Sequence, residues 1–287
     1  MNPSWAEFLI GEWDYAAYLL LFFLLFLCTQ IGWERLRRRL DRLPWRVALP
    51  RASRWRRPIW TMVLILVPLL GWMVMEGGTR HYNADMRASL MKRVEMAALS
   101  LPIGDLQKLR GVPEDMEGEP YRRVVARLVS IRIAAEADIK NVYIMGCRDQ
   151  QVFFYADSEP ADSKQFAPPG CIYKEATPGL LAAFQNGEGV VEGPLRDSYG
   201  TWEAGFFPLR DPATQAVVGV LGMDIDNARW EAMLASYRKF FIVLTSLASL
   251  IVLFLFYLTE WFGLTATRLA ESERRHRELA TLQQAKQ

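Results

Sequence analysis

Histidine and cysteine are scarce in this sequence, and their scarcity excludes several kinds of chemistry. The 287 residues contain two histidines and three cysteines. No group of Cys and His has the spacing of a metal site, and no glycine-rich stretch has the pattern of a phosphate-binding loop. We find no motif of a kinase, a cyclase or any other enzyme. The sequence therefore predicts neither catalytic residues nor a bound metal or cofactor.

Charge is almost absent from three long apolar segments. They are Tyr15–Ile31, Ile59–Met75 and Phe240–Phe262, and the last contains Glu260 near its end. About 20 apolar residues are needed to cross a bilayer, and tryptophans flank these segments, as is typical of the headgroup region. The first segment lacks a small-residue cleavage site, so we interpret it as a retained span. The sequence thus predicts three transmembrane helices, at residues 15–32, 59–75 and 239–262.

Arginine dominates the segment between the first two apolar runs. Ten arginines lie between Trp33 and Pro58, against two acidic residues. A short basic loop stays in the cytoplasm, and contact with anionic lipid explains its charge better than a nucleic-acid surface does. We predict a cytoplasmic loop at 33–58, an extracytoplasmic N-terminus at 1–14, an extracytoplasmic domain at 76–238 and a cytoplasmic helical linker at 263–287.

The outer segment, residues 76–238, is long enough for one domain with its own core. It contains 23 acidic and 18 basic residues, a balance that argues against a nucleic-acid partner. Cys147 and Cys171 both fall within it. In an oxidising compartment they form either a disulfide or two separate thiols, and the sequence leaves both open because it does not show their separation.

Apolar periodicity divides the outer segment into helices and strands. A long amphipathic helix follows Gly77 and Gly78, and a second helix starts at Pro120. A short helix between Thr177 and Asn186 and a helix capped by Asp226 complete the set. Alternating or continuous apolar runs predict five strands, at 141–146, 151–157, 189–192, 201–209 and 216–226. The predicted fold class is therefore α+β.

Several short segments, taken in order between two apolar runs, resemble a Cache domain. This is the extracytoplasmic PAS-like sensor fold of bacterial histidine kinases, diguanylate cyclases and chemoreceptors. The segments are Val142–Met145, Val152–Pro160, Val190–Pro194, Gly200–Trp202 and Val220–Asp226. The resemblance covers roughly residues 80–230. It implies a single Cache domain: a five-stranded antiparallel sheet in the order 2-1-5-4-3, a long N-terminal helix behind it and a ligand pocket on the other face. It also implies a homodimer.

By analogy with this family, eight residues on the central strands and crossing loops are predicted to contact a small-molecule ligand. They are Tyr143, Tyr155, Asp157, Tyr173, Asp197, Tyr199, Trp202 and Phe206. Aromatic rings stack on a ligand or reach it through their polar ends, and Asp157 or Asp197 pairs with an ammonium or another cation. The alternative for each is a structural role, since strand aromatics are more often core residues. Asp224 and Asp226 are assigned mainly to a strand end and a helix cap.

Together these features predict a receptor input module in the cytoplasmic membrane of a bacterium. A ligand that closes the pocket shifts one membrane helix against another, and a cytoplasmic output domain, a kinase or cyclase, follows the linker. His276 lies in that linker, but Arg277 follows it where a kinase phosphoacceptor usually has an acidic residue, so we interpret it as a solvated side chain. The alternatives are a stand-alone membrane adaptor that recruits a separate signalling partner and a binding subunit of a transporter.

Overall fold

The computed structural model describes residues 16–20, 22–24, 26–32, 34–35, 38, 53–135 and 138–284. The predicted N-terminal segment 1–14 and most of the basic loop 33–58 lie outside the described residues. The chain divides into two compact units: one is Arg80–Leu234, and the other combines Met1–Thr79 with Ala235–Gln287.

The apolar runs form helices: α1 is Ala16–Gly32, α2 is Ser53–Leu99 and α6 is Asn227–Gln284. Among the described residues, α2 and α6 are the two helices long and apolar enough to cross a membrane. The predicted count of three spans is therefore corrected to two. Within the described residues α1 counts as a shorter apolar helix.

Small and polar side chains make close contacts within the unit that combines Met1–Thr79 with Ala235–Gln287. A side chain on Gly71 would approach Thr245 Cγ2 to 2.3 Å, so this glycine allows α2 and α6 to pack closely. Ser249 is fully buried, and its Oγ lies 3.2 Å from the hydroxyl of Tyr18. Small residues and polar contacts of this kind are typical of helices that associate in lipid.

The described residues of the Arg80–Leu234 unit include three further helices and the 3₁₀ turn that precedes the second of them. They are α3 (Ile103–Leu106), the 3₁₀ turn Pro113–Glu117, α4 (Glu119–Ala134) and α5 (Pro178–Asn186). Thr177 caps α5 by accepting a hydrogen bond from the amide of Leu180 at 3.1 Å. Gly187, with a φ of 67°, ends it in the left-handed conformation that favours glycine. The sequence predicted both ends of α5.

Six strands form one antiparallel sheet in the order β3-β2-β1-β6-β5-β4. They are β1 (Asn141–Arg148), β2 (Gln151–Asp157), β3 (Ile172–Tyr173), β4 (Val190–Arg196), β5 (Thr201–Arg210) and β6 (Val217–Asp226). The predicted count of five is wrong, because Ile172 and Tyr173 pair with Phe153 and Val152 at the sheet edge. A two-residue strand has no alternation that a sequence pattern can reveal. Without β3, the order of the other five strands matches the prediction.

The two faces of the sheet bury different partners. On one face, residues of β1 and β6 pack against α2 and α4 in the main core. The strand residues are Val142, Ile144, Leu221 and Met223, and the helix residues are Leu90, Val94, Val124 and Leu128. On the other face, a second apolar cluster includes Phe206 and Val220 of the sheet and Leu180 of α5. The candidate site lies on this second face.

Candidate ligand-binding site

A narrow cavity opens on the sheet face opposite α2. Its volume is about 350 Å³, part of which is open to solvent. Twelve residues line it: Asn141, Tyr143, Met145, Phe154, Asp157, Gln165, Ala167, Tyr173, Asp197, Tyr199, Trp202 and Asp224. An apolar and aromatic lining with a few convergent polar groups is the usual composition of a small-molecule site.

Six of the eight residues singled out in the sequence line this cavity. They are Tyr143, Asp157, Tyr173, Asp197, Tyr199 and Trp202. Phe206 is on the same face but lies in the apolar cluster beneath, where only 1% of it is exposed. Tyr155 packs against the core on the opposite face. The cavity thus brings together four aromatic residues and two carboxylates that are far apart in the sequence.

A β-bulge decides which residues of β2 face the cavity. Met145 pairs with Phe154, whereas Ile144 pairs with Ala156, so Tyr155 is an extra residue between two pairs. The bulge reverses the alternation of β2. Phe154 and Asp157 therefore both face the cavity, while Tyr155 lies on the other side and stacks edge-on against Phe153 at 4.8 Å. A regular strand would place Tyr155 and Asp157 on the same face of the sheet, because side chains alternate with a period of two. In the structure these two side chains lie on opposite faces.

Asp224 and Asn141 form the polar floor of the cavity, and the sequence analysis did not assign either to it. They are opposite each other on β6 and β1, and 4% of Asp224 and 8% of Asn141 is exposed. The side-chain nitrogen Nδ2 of Asn141 lies 3.5 Å from Asp224 Oδ2. Its carbonyl Oδ1 is buried without a hydrogen-bond partner, a state that costs about 1–3 kcal/mol. The signal that was available is the position of Asp224, a charged residue inside an apolar strand.

Glycine at position 222 allows Tyr143 to reach this floor. Tyr143 and Gly222 are directly paired on β1 and β6, and a side chain on Gly222 would lie 2.2 Å from Tyr143 Cε2. The tyrosine ring therefore lies across β6, and its hydroxyl donates to Asp224 Oδ1 at 2.9 Å. Close approach by a neighbouring group is a recurrent reason for glycine inside a strand.

Asp197 organises the rim between β4 and β5. Its Oδ1 accepts hydrogen bonds from the amides of Tyr199 and Gly200 and from Trp202 Nε1, at 2.8, 2.9 and 3.0 Å. Its Oδ2 accepts from the hydroxyl of Tyr173 at 3.0 Å. Both oxygens are therefore occupied, and Asp197 holds three aromatic residues of the cavity in place.

Asp157 fixes the loop that crosses the cavity. Its two oxygens accept from the amides of Glu159 and Ala167, both at 3.0 Å. The same loop is held at its far side by Gln165, whose side-chain amide donates to the carbonyl of Tyr199 at 3.3 Å. The loop thus covers the cavity and is held there by hydrogen bonds to Asp157 on one side and to Tyr199 on the other.

Burial shifts the acid–base behaviour of these groups. It raises the pKa of Asp224 to about 7, against the opposing effect of the hydrogen bonds from Tyr143 and Asn141. It likewise raises the pKa of Asp157 to about 6, although its backbone hydrogen bonds act in the other direction. The pKa of Tyr143 lies well above its usual value, chiefly through burial. Desolvation of the charged form is the common cause.

Cys147 and Cys171 are free thiols in the structure. Cys147 lies on β1, and Cys171 immediately precedes β3, while β2 lies between these two strands. Strands that are two positions apart are separated by about 9.5 Å, which exceeds the ~7 Å limit for the Cα atoms of a disulfide. Of the two alternatives left open by the sequence, the structure has separate thiols.

Comparisons with known proteins give matches among solved structures alone. No family model matches the chain, and no curated protein matches it. The ligand-binding domain of the Campylobacter jejuni chemoreceptor Tlp3 in complex with L-valine is 16% identical, with a TM-score of 0.42, over 62% of this chain and 67% of that chain. The sensory domain of the same receptor is 16% identical, with a TM-score of 0.41, over 60% of this chain and 66% of that chain.

The same sensory domain with isoleucine bound is 16% identical, with a TM-score of 0.41, over 62% of this chain and 66% of that chain. This chain therefore spans about two thirds of the length of each of these structures. All three are sensory or ligand-binding domains of a chemoreceptor.

Proposed function

We propose that this chain is the input module of a membrane receptor, which binds a small molecule outside the cytoplasm and passes the event to helices α2 and α6. The observation that carries the proposal is the position of the cavity floor. Asp224 lies on β6, which ends at Asp226, and α6 begins at Asn227. A ligand that moves Asp224 therefore acts two residues from the strand end that feeds α6.

Asp226 connects this strand directly to the helix. Its Oδ1 accepts a hydrogen bond from the amide of Ala228 at 2.7 Å, so it caps the first turn of α6, as the sequence predicted. A cap fixes the direction in which the chain enters the helix. Displacement of the end of β6 is thus passed to the first turn of α6.

Two contacts join α2 to α6 near this junction. Asp138 accepts hydrogen bonds from Arg93 of α2 at 3.3 Å and from Arg229 of α6 at 2.5 Å. Trp230 Nε1 donates to Asn83 Oδ1 of α2 at 2.9 Å. We name the three residues Arg93, Asp138 and Arg229 the ionic bridge. Asp138 lies three residues before Asn141, and Asp224 lies two residues before the end of β6. Both floor residues are therefore close in sequence to the place where α2 and α6 are joined.

The bridge is exposed enough to rearrange. Between 37% and 46% of each of its side chains is accessible, and exposed ion pairs contribute only about 0–1 kcal/mol. A ligand shifts an equilibrium between two helix arrangements only by its difference in affinity for them. A weak bridge is suited to such a role, because a modest difference in affinity is sufficient to move it.

Orientation completes the proposal. The arginine-rich loop is cytoplasmic, α2 and α6 cross the membrane, the Arg80–Leu234 unit is extracytoplasmic and the end of α6 reaches an output partner in the cytoplasm. Homodimerisation through α2 is included, since Met96 and Leu99 of its outer part are 70% and 81% exposed. Exposed apolar side chains on a helix favour pairing with another surface.

The test measures the distance between α2 and α6 in the full chain, reconstituted in lipid nanodiscs. A thermal-shift screen of amines, amino acids, organic acids and divalent ions first selects a molecule whose stabilising effect Trp202→Ala abolishes. Spin labels at Lys92→Cys and Ala232→Cys, with the native cysteines replaced by serine, then report on the two helices. We expect the distance distribution to change when the molecule is added.

Asp138→Asn is the matched variant for this measurement. It weakens the ionic bridge and leaves the cavity intact, so we expect binding to persist while the change in distance becomes smaller. If the selected molecule saturates the cavity and the distance distribution stays unchanged in the native sequence, transmission through α2 and α6 is wrong.

A further inference from the structure

We infer that the ligand is a small organic molecule with a primary ammonium group and no carboxylate, and that Asp224 and Asn141 bind its ammonium. This inference rests on the proposed function, because it names the ligand class of the same cavity. Three independent features of the cavity support it: the sign of its charge, an unused acceptor on its floor and the state of its carboxylates.

The charge of the cavity has a single sign. Asp157, Asp197 and Asp224 line it, and among the described lining residues there is no lysine, arginine or histidine. A ligand carboxylate would lie near three acidic groups without a basic partner. A cation, in contrast, is attracted by all three. Like charges placed together are strongly unfavourable where the dielectric constant is low.

The unused acceptor specifies a ligand that donates hydrogen bonds. Asn141 directs its side-chain nitrogen toward the carboxylate of Asp224. When Asp224 is ionised, as it is beside a bound cation, the reverse orientation would bring two oxygens together, so the ionised carboxylate fixes the amide. The carbonyl Oδ1 remains buried without a partner. A primary ammonium carries three N–H donors and can satisfy Asn141 Oδ1 and Asp224 at once, whereas a quaternary ammonium has no N–H to donate.

The state of the carboxylates favours an ammonium over a metal ion. Asp157 and Asp197 already accept hydrogen bonds on both of their oxygens. Calcium and magnesium need six or more oxygen ligands, and within the described part of the chain no group of residues fits a metal ion. Asp224 has capacity left, since its Oδ2 makes only the long contact with Asn141. One available carboxylate beside one unused carbonyl suits a single ammonium.

The aromatic residues around this floor accommodate the rest of the ligand. Tyr143, Phe154 and Tyr173 form edge-to-face pairs, with ring centroids 5.5 and 5.9 Å apart, and Tyr199 and Trp202 complete the lining. Aromatic faces attract cations and also bury short alkyl groups. The narrowness of the cavity limits the ligand to a few carbon atoms beyond its nitrogen.

The experiment compares molecules that differ by one charged group, by calorimetric titration of the full chain in nanodiscs. Isobutylammonium is valine without its carboxylate, and 3-methylbutanoate is valine without its ammonium. We expect isobutylammonium to bind at least tenfold more tightly than valine. We expect no binding of 3-methylbutanoate, tetramethylammonium or calcium ions.

Two variants and one control locate the ammonium. Asp224→Asn keeps the size of the side chain and should weaken isobutylammonium binding at least tenfold, and Asn141→Leu should weaken it as well. Asp226→Asn is the matched control, because Asp226 is exposed and outside the cavity, and it should bind as the native chain does. Circular dichroism and thermal unfolding verify that each variant is folded.

Each outcome decides the inference. It is overturned if isobutylammonium does not bind at 10 mM, if valine or 3-methylbutanoate binds equally tightly, or if Asp224→Asn leaves the affinity unchanged. The ligand class and the proposed function are contradicted by different results. A carboxylate that binds in the cavity and moves α2 against α6 overturns the first alone, whereas isobutylammonium that binds without moving the helices overturns the second alone.

Discussion

Asp224 is a carboxyl group in a place that disfavours its ionised form. It is almost fully buried, and Asp197 and Asp157 add their negative charge to the effect of burial on its pKa. A hydrophobic residue at this position would stabilise the strand more. A residue that is unfavourable for the isolated fold, beside a buried acceptor without a partner, is the usual sign that a site was shaped by a ligand.

Ligand affinity should depend on pH through this residue. A cation favours ionised Asp224, whereas the empty cavity holds it half-protonated near pH 7, so a proton competes with the ligand. With a pKa of about 7, we expect the affinity for isobutylammonium to fall about tenfold from pH 8 to pH 6. Titrations at several pH values measure this. Residual binding by Asp224→Asn should fall by only about twofold over the same range, because Asp157, with a pKa of about 6, becomes half-protonated at pH 6. A flat profile for the native chain would contradict the prediction.

Gly222 should be intolerant of even a methyl group. Alanine at this position would push the ring of Tyr143 away from β6 and break its bond to Asp224. We expect Gly222→Ala to lower the free energy of unfolding by about 1–3 kcal/mol, as overpacking does, and to weaken ligand binding. Chemical denaturation of the detergent-solubilised chain measures the first effect. Gly104→Ala is the control, since its new side chain would meet nothing within 4 Å; equal losses would contradict the explanation.

At the scale of elements, Arg87 ties α2 to the β4–β5 edge of the sheet. Its guanidinium donates to the carbonyls of Val191 and Gly193 and to Glu203 Oε2, at 3.3, 3.0 and 2.8 Å. Only 3% of the Glu203 side chain is exposed, against 30% of Arg87. The long helix is therefore held by a buried polar group on the sheet face that does not carry the cavity.

Loss of Arg87 should destabilise the domain in a pH-dependent way. Burial raises the pKa of Glu203 from 4.5 to about 7, and Arg87 opposes this rise. Because the folded-state pKa exceeds the unfolded one, the contribution of Glu203 to stability is present below about pH 4.5 and is lost as pH rises through 7. Arg87→Ala raises the folded-state pKa further, so its destabilisation, about 1–3 kcal/mol at pH 8, should be smaller at pH 5.

Denaturation of the variant at both pH values measures this effect. The double variant Arg87→Ala with Glu203→Gln is the control, because it removes the buried charge. It should recover much of the loss at pH 8. Destabilisation that is equal at pH 5 and pH 8 would mean that Arg87 acts by packing rather than by charge.

At the scale of the whole molecule, the proposal depends on which side of the membrane each unit occupies. Cys147 is exposed in the Arg80–Leu234 unit, and His276 is exposed near the end of α6. In a chain with Cys28→Ala and Cys171→Ser, a maleimide that reaches the outer side of the cytoplasmic membrane without crossing it should label Cys147 in intact cells. In a chain without native cysteines, His276→Cys should be labelled only after the cells are permeabilised. The reverse pattern would contradict the orientation.

The sequence by itself determined the features that depend on local pattern. The apolar runs, the arginine-rich loop and the caps at Thr177 and Asp226 follow from neighbouring residues, whose spacing decides what they can bury or bond. The order of five strands came instead from the resemblance to a Cache domain. The predicted number of spans was three, whereas the described residues contain two helices long and apolar enough to cross a membrane. The strand count was underestimated because two residues pair with β2 through a contact that no local pattern records.

Tertiary structure alone decided the floor of the cavity. Asn141 and Asp224 are 83 positions apart and meet because β1 pairs with β6. The bulge at Tyr155 exists because β1 and β2 are joined in a shifted register, and it turns Phe154 into the cavity and Tyr155 away. A residue's own neighbours fix its secondary structure, but the partner strand fixes which face it occupies and which charge it meets. The resemblance supplied Tyr143, Tyr173, Tyr199 and Trp202 of the aromatic lining, whereas the acceptor and carboxylate proposed to bind the ligand emerged from the pairing of β1 with β6.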